Sequence, residues 1–77
     1  MAELKRIYYD FGELKSECFV INNKKNGEYK EYHRNGILKQ SCTYIDDILH
    51  GKFNFYNCHG ELKISCIFIN GTVKCLI

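Results

Sequence analysis

Five cysteines and three histidines in a chain of 77 residues are the groups from which a reactive thiol, a disulfide or a zinc site would be built. They are Cys18, Cys42, Cys58, Cys66 and Cys75, with His33, His50 and His59. Zinc draws four ligands onto one point through bonds of about 2.3 Å. The spacings that usually achieve this are missing, since there is neither a Cys-x-x-Cys nor a His-x-x-x-His. A phosphate-binding glycine loop and a Gly-x-Ser-x-Gly elbow are missing too. Cys58 and His59 are adjacent in "NCHG", and His33 lies near the matching position of the preceding unit. That pair fits no metal motif and is expected in an exposed turn. Asp10, Asp46 and Asp47 also fall among turn-forming residues, which explains them without acid–base chemistry. No metal, no cofactor and no catalytic residue is expected.

The remaining cysteines raise a different question, because Cys18, Cys42 and Cys66 are evenly spaced. A shift of 24 residues superposes them and also aligns Tyr8, Tyr32 and Tyr56. It aligns Gly12, Gly36 and Gly60, then Leu14, Leu38 and Leu62, then Lys15, Lys39 and Lys63, then Ile21, Ile45 and Ile69, and it matches Gly27 with Gly51. A fixed period of this length marks a stacked repeat architecture.

The elements that must position these residues follow from one unit. "EYKEYH" (28–33) and "ILKQSCTYI" (37–45) flank Arg34-Asn35-Gly36. Asn-Gly between alternating runs is a strong hairpin signal, because both residues tolerate positive φ. A second turn closes each unit: Asn22-Asn23, Asp46-Asp47 and Asn70-Gly71. Alternation puts Leu38, Gln40, Cys42 and Tyr44 on one face, with Leu62, Ile64, Cys66 and Phe68 as counterparts. This more apolar face is expected inward, with Leu14, Leu38, Leu62 and the three cysteines buried. The expected fold is all-β: a single-sheet antiparallel meander of three stacked 24-residue β-hairpin repeats. It forms one domain over 1–77, with repeats at about 4–26, 27–50 and 51–74 and a partial strand at 72–77. The hairpin turns fall at 10–12, 34–36 and 58–60, and no helix is expected.

Equivalent cysteines in successive hairpins are two strands apart, or about 9.5 Å. A disulfide needs Cα atoms within about 7 Å. Cys18, Cys42 and Cys66 are therefore expected as small buried hydrophobes carrying free thiols, in a reducing compartment.

Composition narrows the rest. The net charge of +2 leaves no nucleic-acid footprint. Abundant Lys, Asn and Ile suggest an A+T-rich genome. The start, "MAELKRIYYD", has no apolar run suited to a signal peptide or a membrane span. Cys75 is third from the last residue, which does not fit a prenylation box. A cytoplasmic location is expected, in the host cytoplasm if the source is viral.

The pattern Gly27-x-Tyr29-x-x-Tyr32-x-x-Asn35-Gly36-x-Leu38-Lys39, then Cys42, Tyr44 and the turn to Gly51, resembles the MORN-repeat variants, including antitoxin-like MORN-variant repeat proteins. The third unit matches at Gly51, Phe53, Tyr56, Gly60, Leu62, Lys63 and Phe68, and the first at Tyr8, Gly12, Leu14 and Lys15. Phe11 and His59 stand where Asn35 precedes the turn glycine, and the Gly-x-Gly ending of the more familiar repeat is absent. The resemblance implies a β-hairpin stack used as a scaffold or interaction surface, of a kind frequent in bacteria, protists and large DNA viruses.

The function expected on these grounds is a non-catalytic protein-binding or scaffold module, with peripheral binding to anionic phospholipid as the alternative. Candidate contact residues are the column Tyr8, Tyr32 and Tyr56, the column Lys15, Lys39 and Lys63, and the apolar Phe53, Phe55 and Phe68. Tyrosine is enriched at interfaces, and a lysine column suits acidic partners or headgroups. Expected partners are another protein, or a second copy through the edge strand 72–77, and anionic lipid in the alternative; nucleic acid is not expected.

Overall fold

The computed structural model describes residues 2–77 and contains strands and turns only. The strands are β1 (Glu3–Tyr8), β2 (Leu14–Ile21), β3 (Lys24–Tyr32), β4 (Leu38–Ile45), β5 (Ile48–Tyr56), β6 (Leu62–Ile69) and β7 (Thr72–Cys75). They form one open antiparallel sheet in chain order, measuring 38 × 34 × 13 Å over its Cα atoms. The expected meander, its turns and its terminal strand are all present.

The two turn types differ from what the dipeptides suggest. At the long hairpin ends the chain makes a tight turn closed by Gly12 N–H to Tyr9 O, Gly36 N–H to His33 O and Gly60 N–H to Asn57 O. Only the glycine takes positive φ there, so Asn35-Gly36 is not a two-residue turn with both residues left-handed. Asn35 works through its side chain instead: its Oδ1 accepts from Ile37 N–H, and its Nδ2 donates to Cys58 O of the next unit. The two-residue turns are Asn22-Asn23, Asp46-Asp47 and Asn70-Gly71, where both residues have positive φ. That conformation matches the twist of the flanking strands, and Asn, Asp and Gly adopt it most readily.

Each unit contains a β-bulge at its repeated Leu-Lys. Ile7 pairs Ser16 but Tyr8 pairs Leu14, leaving Lys15 without an opposite number. The same step skips Lys39 between Tyr32 and Leu38, and Lys63 between Tyr56 and Leu62. The repeated tyrosine, leucine and lysine are thus one device, an extra residue that bends the strand pair and increases its twist.

A second irregularity recurs where β2 meets β3 and β4 meets β5. The ladder jumps between Cys18 and Val20, and between Cys42 and Tyr44, and the longer strand absorbs the surplus around Gly27 and Gly51. Gly27 has φ +110, and a Cβ there would sit 3.3 Å from the Phe19 Cβ. Gly12 has φ +99 but faces open space. Gly27→Ala is therefore expected to cost about 2–3 kcal/mol, from backbone strain plus the clash, and Gly12→Ala about 1–2 kcal/mol from backbone strain alone. Urea denaturation of the two variants checks this, and equal losses would mean that Phe19 yields freely.

The core is thin. Among the described residues only Cys18, Cys42, Cys66 and Ser16 are buried. The expected burial of the three leucines is not found. Leu14 and Leu38 are half-buried and Leu62 is 40% exposed, because the extra bulge residue turns them away from the cysteines onto the face of Tyr8, Tyr32 and Tyr56, and no second layer lies above them.

Candidate functional site

Across the sheet, directly paired residues share a face, so the ladder defines rows. One row runs Lys5, Cys18, Tyr29, Cys42, Phe53, Cys66, Cys75. The cysteines alternate with aromatic rings along its middle, and this explains the repeat. A small side chain on every even strand lets the rings of odd strands lean over it, which buries the sulfur without a second layer. On the same face Gln40 pairs Phe55 and Phe55 pairs Ile64 on one side of the row. Tyr44 pairs Leu49 and Phe68 pairs Val73 on the other.

The two halves of this face differ. Over β1 to β3 it carries Glu3, Lys5, Lys25 and Glu31 among its apolar residues. Lys25 Nζ sits 5.1 Å from the Tyr29 ring centre and 5.0 Å from that of Tyr44, and the two rings meet edge to face at 5.8 Å. Tyr29 donates its hydroxyl to Glu31 Oε1 at 3.1 Å, and Lys39 Nζ lies 3.4 Å from Glu31 Oε2. Over β5 to β7 the face is apolar: Leu49, Phe53, Phe55, Ile64, Phe68 and Val73. Phe53 and Phe68 meet edge to face at 6.1 Å, a favoured aromatic geometry.

The opposite face has a polar middle row of Arg6, Glu17, Lys30, Ser41, Asn54 and Ser65. Arg6 Nε donates to Glu17 Oε2, and Ser65 Oγ donates to Asn54 Oδ1. Isoleucines Ile45, Ile48 and Ile69 stand at its two-residue-turn end. A shallow recess of about 480 Å³ lies there, lined by Ile45, Ile48, Leu49, His50, Asn70 and Gly71. It gathers no set of acid, base and nucleophile.

The candidate residues named from sequence separate in space. The aromatic trio of Phe53, Phe55 and Phe68 gathers on one patch, each ring half-buried. Tyr8, Tyr32 and Tyr56 each face a leucine across a bulge, Tyr8 exposed and the other two half-buried. The lysines occupy non-equivalent surroundings: Lys15 lies 5.8 Å from the Tyr9 ring centre, Lys39 is tied to Glu31, and Lys63 is exposed. The units are stitched by contacts that the sequence did not announce. Tyr9 donates its hydroxyl to Tyr32 O at 2.6 Å, and His33 Nε2 at the equivalent position lies 3.0 Å from Tyr56 O.

Burial pushes the thiols of Cys18 and Cys42 up from their ordinary values. They stay protonated at neutral pH, the unreactive form. Cys66 departs from the free thiol expected of it, because it is bonded to Cys75 with Cα atoms 3.9 Å apart. The two-strand separation that keeps the repeated cysteines apart does not apply to this pair, which is directly opposed on neighbouring strands. The bulky Tyr29 and Phe53 occupy the corresponding places opposite Cys18 and Cys42.

Tyr29 has its phenol pushed up to about 12, first by burial and then by the charge of Glu31 and the hydrogen bond to it. A folded value above the unfolded one means that the fold retains the proton. This contribution is fully present below the unfolded pKa of about 10 and is lost as pH climbs to about 12. Urea stability is expected to fall across that window, and to fall less in Tyr29→Phe. An identical decline in both chains would show that Tyr29 is solvated.

Residues 25–46 match the family model described as MORN repeat variant. The resemblance read from sequence is borne out on the central unit, whose strands and turns recur in the units before and after it. No curated protein and no solved structure matches the chain. MORN repeats are a non-enzymatic repeat module associated with membrane and protein interaction.

Proposed function

We propose that this sheet of MORN-variant repeats is a non-catalytic binding module whose contact surface is the apolar half of the cysteine-bearing face, and that its occupant is a second copy of the chain. The observation that carries the reading is the thinness of the core. Phe53, Phe55 and Phe68 are only half-buried, and Ile64 and Val73 are 41% and 50% exposed on the same patch. A sheet normally covers its apolar face with another layer.

Area and chemistry favour a second copy. The whole face, 38 by 34 Å, exceeds the roughly 800 Å² per partner that a stable interface uses, so the apolar half would form the centre of the contact and the β1–β3 half its polar margin. The β5–β7 patch carries no charged side chain, while charge is kept to the β1–β3 half. Homodimer interfaces are the more apolar class, and a polar margin around an apolar centre is their usual arrangement. Two such sheets packed face to face about a two-fold axis would make a sandwich with sheets about 10 Å apart.

Sedimentation over a concentration series tests this. A dimer is expected at high micromolar concentration, and a monomer throughout would overturn the reading. The lipid alternative rests on Lys15, Lys39 and Lys63, and Lys39 is already engaged with Glu31. Salt-sensitive binding to anionic vesicles, lost when these lysines become glutamate, would favour that alternative.

A further inference from the structure

We infer that Cys66 and Cys75 form a reversible dithiol–disulfide pair that ties β7 to the edge of β6 when oxidised and releases it when reduced. The 24-residue period singles the pair out. Cys75 stands where the preceding units have Gly27 and Gly51. In those units the glycine takes positive φ, the ladder jumps, and the repeated cysteine ends opposite a ring. Between β6 and β7 there is no jump. Counting out from the Asn70-Gly71 turn, Ile69 meets Thr72, Phe68 meets Val73, Ile67 meets Lys74, and Cys66 meets Cys75. The third unit alone sets a thiol across from its repeated cysteine.

The surroundings suit a tie rather than a core bond. β7 has four residues, every one exposed, and it pairs with a strand on one side only. Past it, Leu76 N–H and Ser65 O continue the ladder at 2.6 Å. Little apolar burial holds this strand, so the covalent link carries much of the attachment. With β7 released, the outer N–H and C=O groups of β6 from Cys66 to Ile69 become an open edge.

Access sets the direction of the chemistry. Cys75 is exposed and Cys66 is 4% exposed. An external dithiol, acting as a thiolate, attacks the Cys75 sulfur. The sulfur–sulfur bond breaks, and Cys66 leaves as a thiolate that takes a proton. The second thiolate of the reductant then attacks its own sulfur in the mixed disulfide. Cys75 leaves and is protonated, and the reductant ends as a cyclic disulfide, having supplied two electrons. Buried Cys18 and Cys42 take no part.

The test uses the full chain with Cys58→Ser, which removes the exposed thiol that would scramble the bond. Amide hydrogen exchange is followed after oxidation with oxidised glutathione and again after reduction with dithiothreitol, at a protein concentration where sedimentation shows a single species. On reduction the segment 72–77 is expected to exchange at least about tenfold faster, to recover on reoxidation, and to leave β3 and β4 unchanged. Cys75→Ser is expected to show the fast rate under both conditions. Unchanged exchange at 72–77, equal loosening of the whole sheet, a slow Cys75→Ser strand, or a Cys75 that alkylates freely in the oxidised chain would each overturn the inference.

Discussion

Cys42→Asp is expected to cost at least about 3 kcal/mol of stability at neutral pH, against about 1–2 kcal/mol for Cys42→Ala. Cys42 is 4% exposed on the central strand, with Tyr29 on one side and Phe53 on the other. Alanine removes one sulfur and leaves a small void that the flanking rings partly fill. Aspartate places a carboxylate where two rings exclude water. Lys25 over Tyr29 and Tyr44 is the near cation, and it offsets part of the penalty without solvating the group. A chain of this size holds roughly 4–11 kcal/mol in all, so the loss takes a large share of it. The sign with pH follows from the same cause. Burial raises the aspartate pKa, so the deficit should shrink as pH falls and the carboxyl protonates. Urea denaturation at neutral and mildly acid pH reads both quantities. Equal losses for the two variants would show that the cysteine row is solvated and holds nothing together.

Ile64→Glu combined with Val73→Glu is expected to weaken self-association at least about thirtyfold while leaving the monomer folded. Both side chains belong to the apolar patch, Ile64 opposite Phe55 and Val73 opposite Phe68. They are 41% and 50% exposed, so an isolated sheet tolerates a carboxylate there. In a closed sandwich each glutamate would be desolvated against the rings of the other copy with no cation opposite. The matched control is Lys52→Gln with Lys74→Gln, which makes the same change in net charge on the opposite face, where both lysines line up with Ile67. If the control disrupts the dimer and the patch variant does not, the contact has been placed on the wrong side chains.

The period and the turns were legible because they rest on local chemistry. Asn, Asp and Gly recur where the backbone must turn, and a strict shift of 24 residues brings them into register. Registers inside the sheet were less legible. Leu38 and Lys39 read as ordinary alternation, yet Lys39 is the surplus residue of a bulge. The extra residue shifts the alternation by one, so Leu38 pairs Tyr32 on the face of Lys30 and not on that of Cys42, and strict alternation read along one strand misses the slip. Asn35-Gly36 misled for a related reason. The same dipeptide serves a tight turn with one left-handed glycine and a two-residue turn with two left-handed residues, and loop length decides between them.

The bond between Cys66 and Cys75 had a signal that comparison of equivalent cysteines passed over. A two-residue turn at Asn70-Gly71 fixes the pairing beyond it, and counting outward reaches Cys66 and Cys75 together. Burial of the leucines failed as an expectation because alternation tells which face is apolar and says nothing about whether a second layer covers it. The aromatic cluster of Phe53, Phe55 and Phe68 was visible in the sequence as separate residues on two strands. The ladder is what joins them into one patch with Ile64 and Val73.

Coverage of the apolar half of the cysteine-bearing face by a second copy, as proposed, would bring side chains of the two copies into direct contact. Nuclear Overhauser contacts in a sample mixed from isotope-labelled and unlabelled chains test it most directly, since only contacts between copies survive the filter. Contacts are expected from the Phe53, Phe55 and Phe68 rings of one copy to the Ile64 and Val73 methyl groups of the other. Contacts between copies arising only from Ile45, Ile48 and Ile69 on the opposite face, or none at high micromolar concentration, would contradict it.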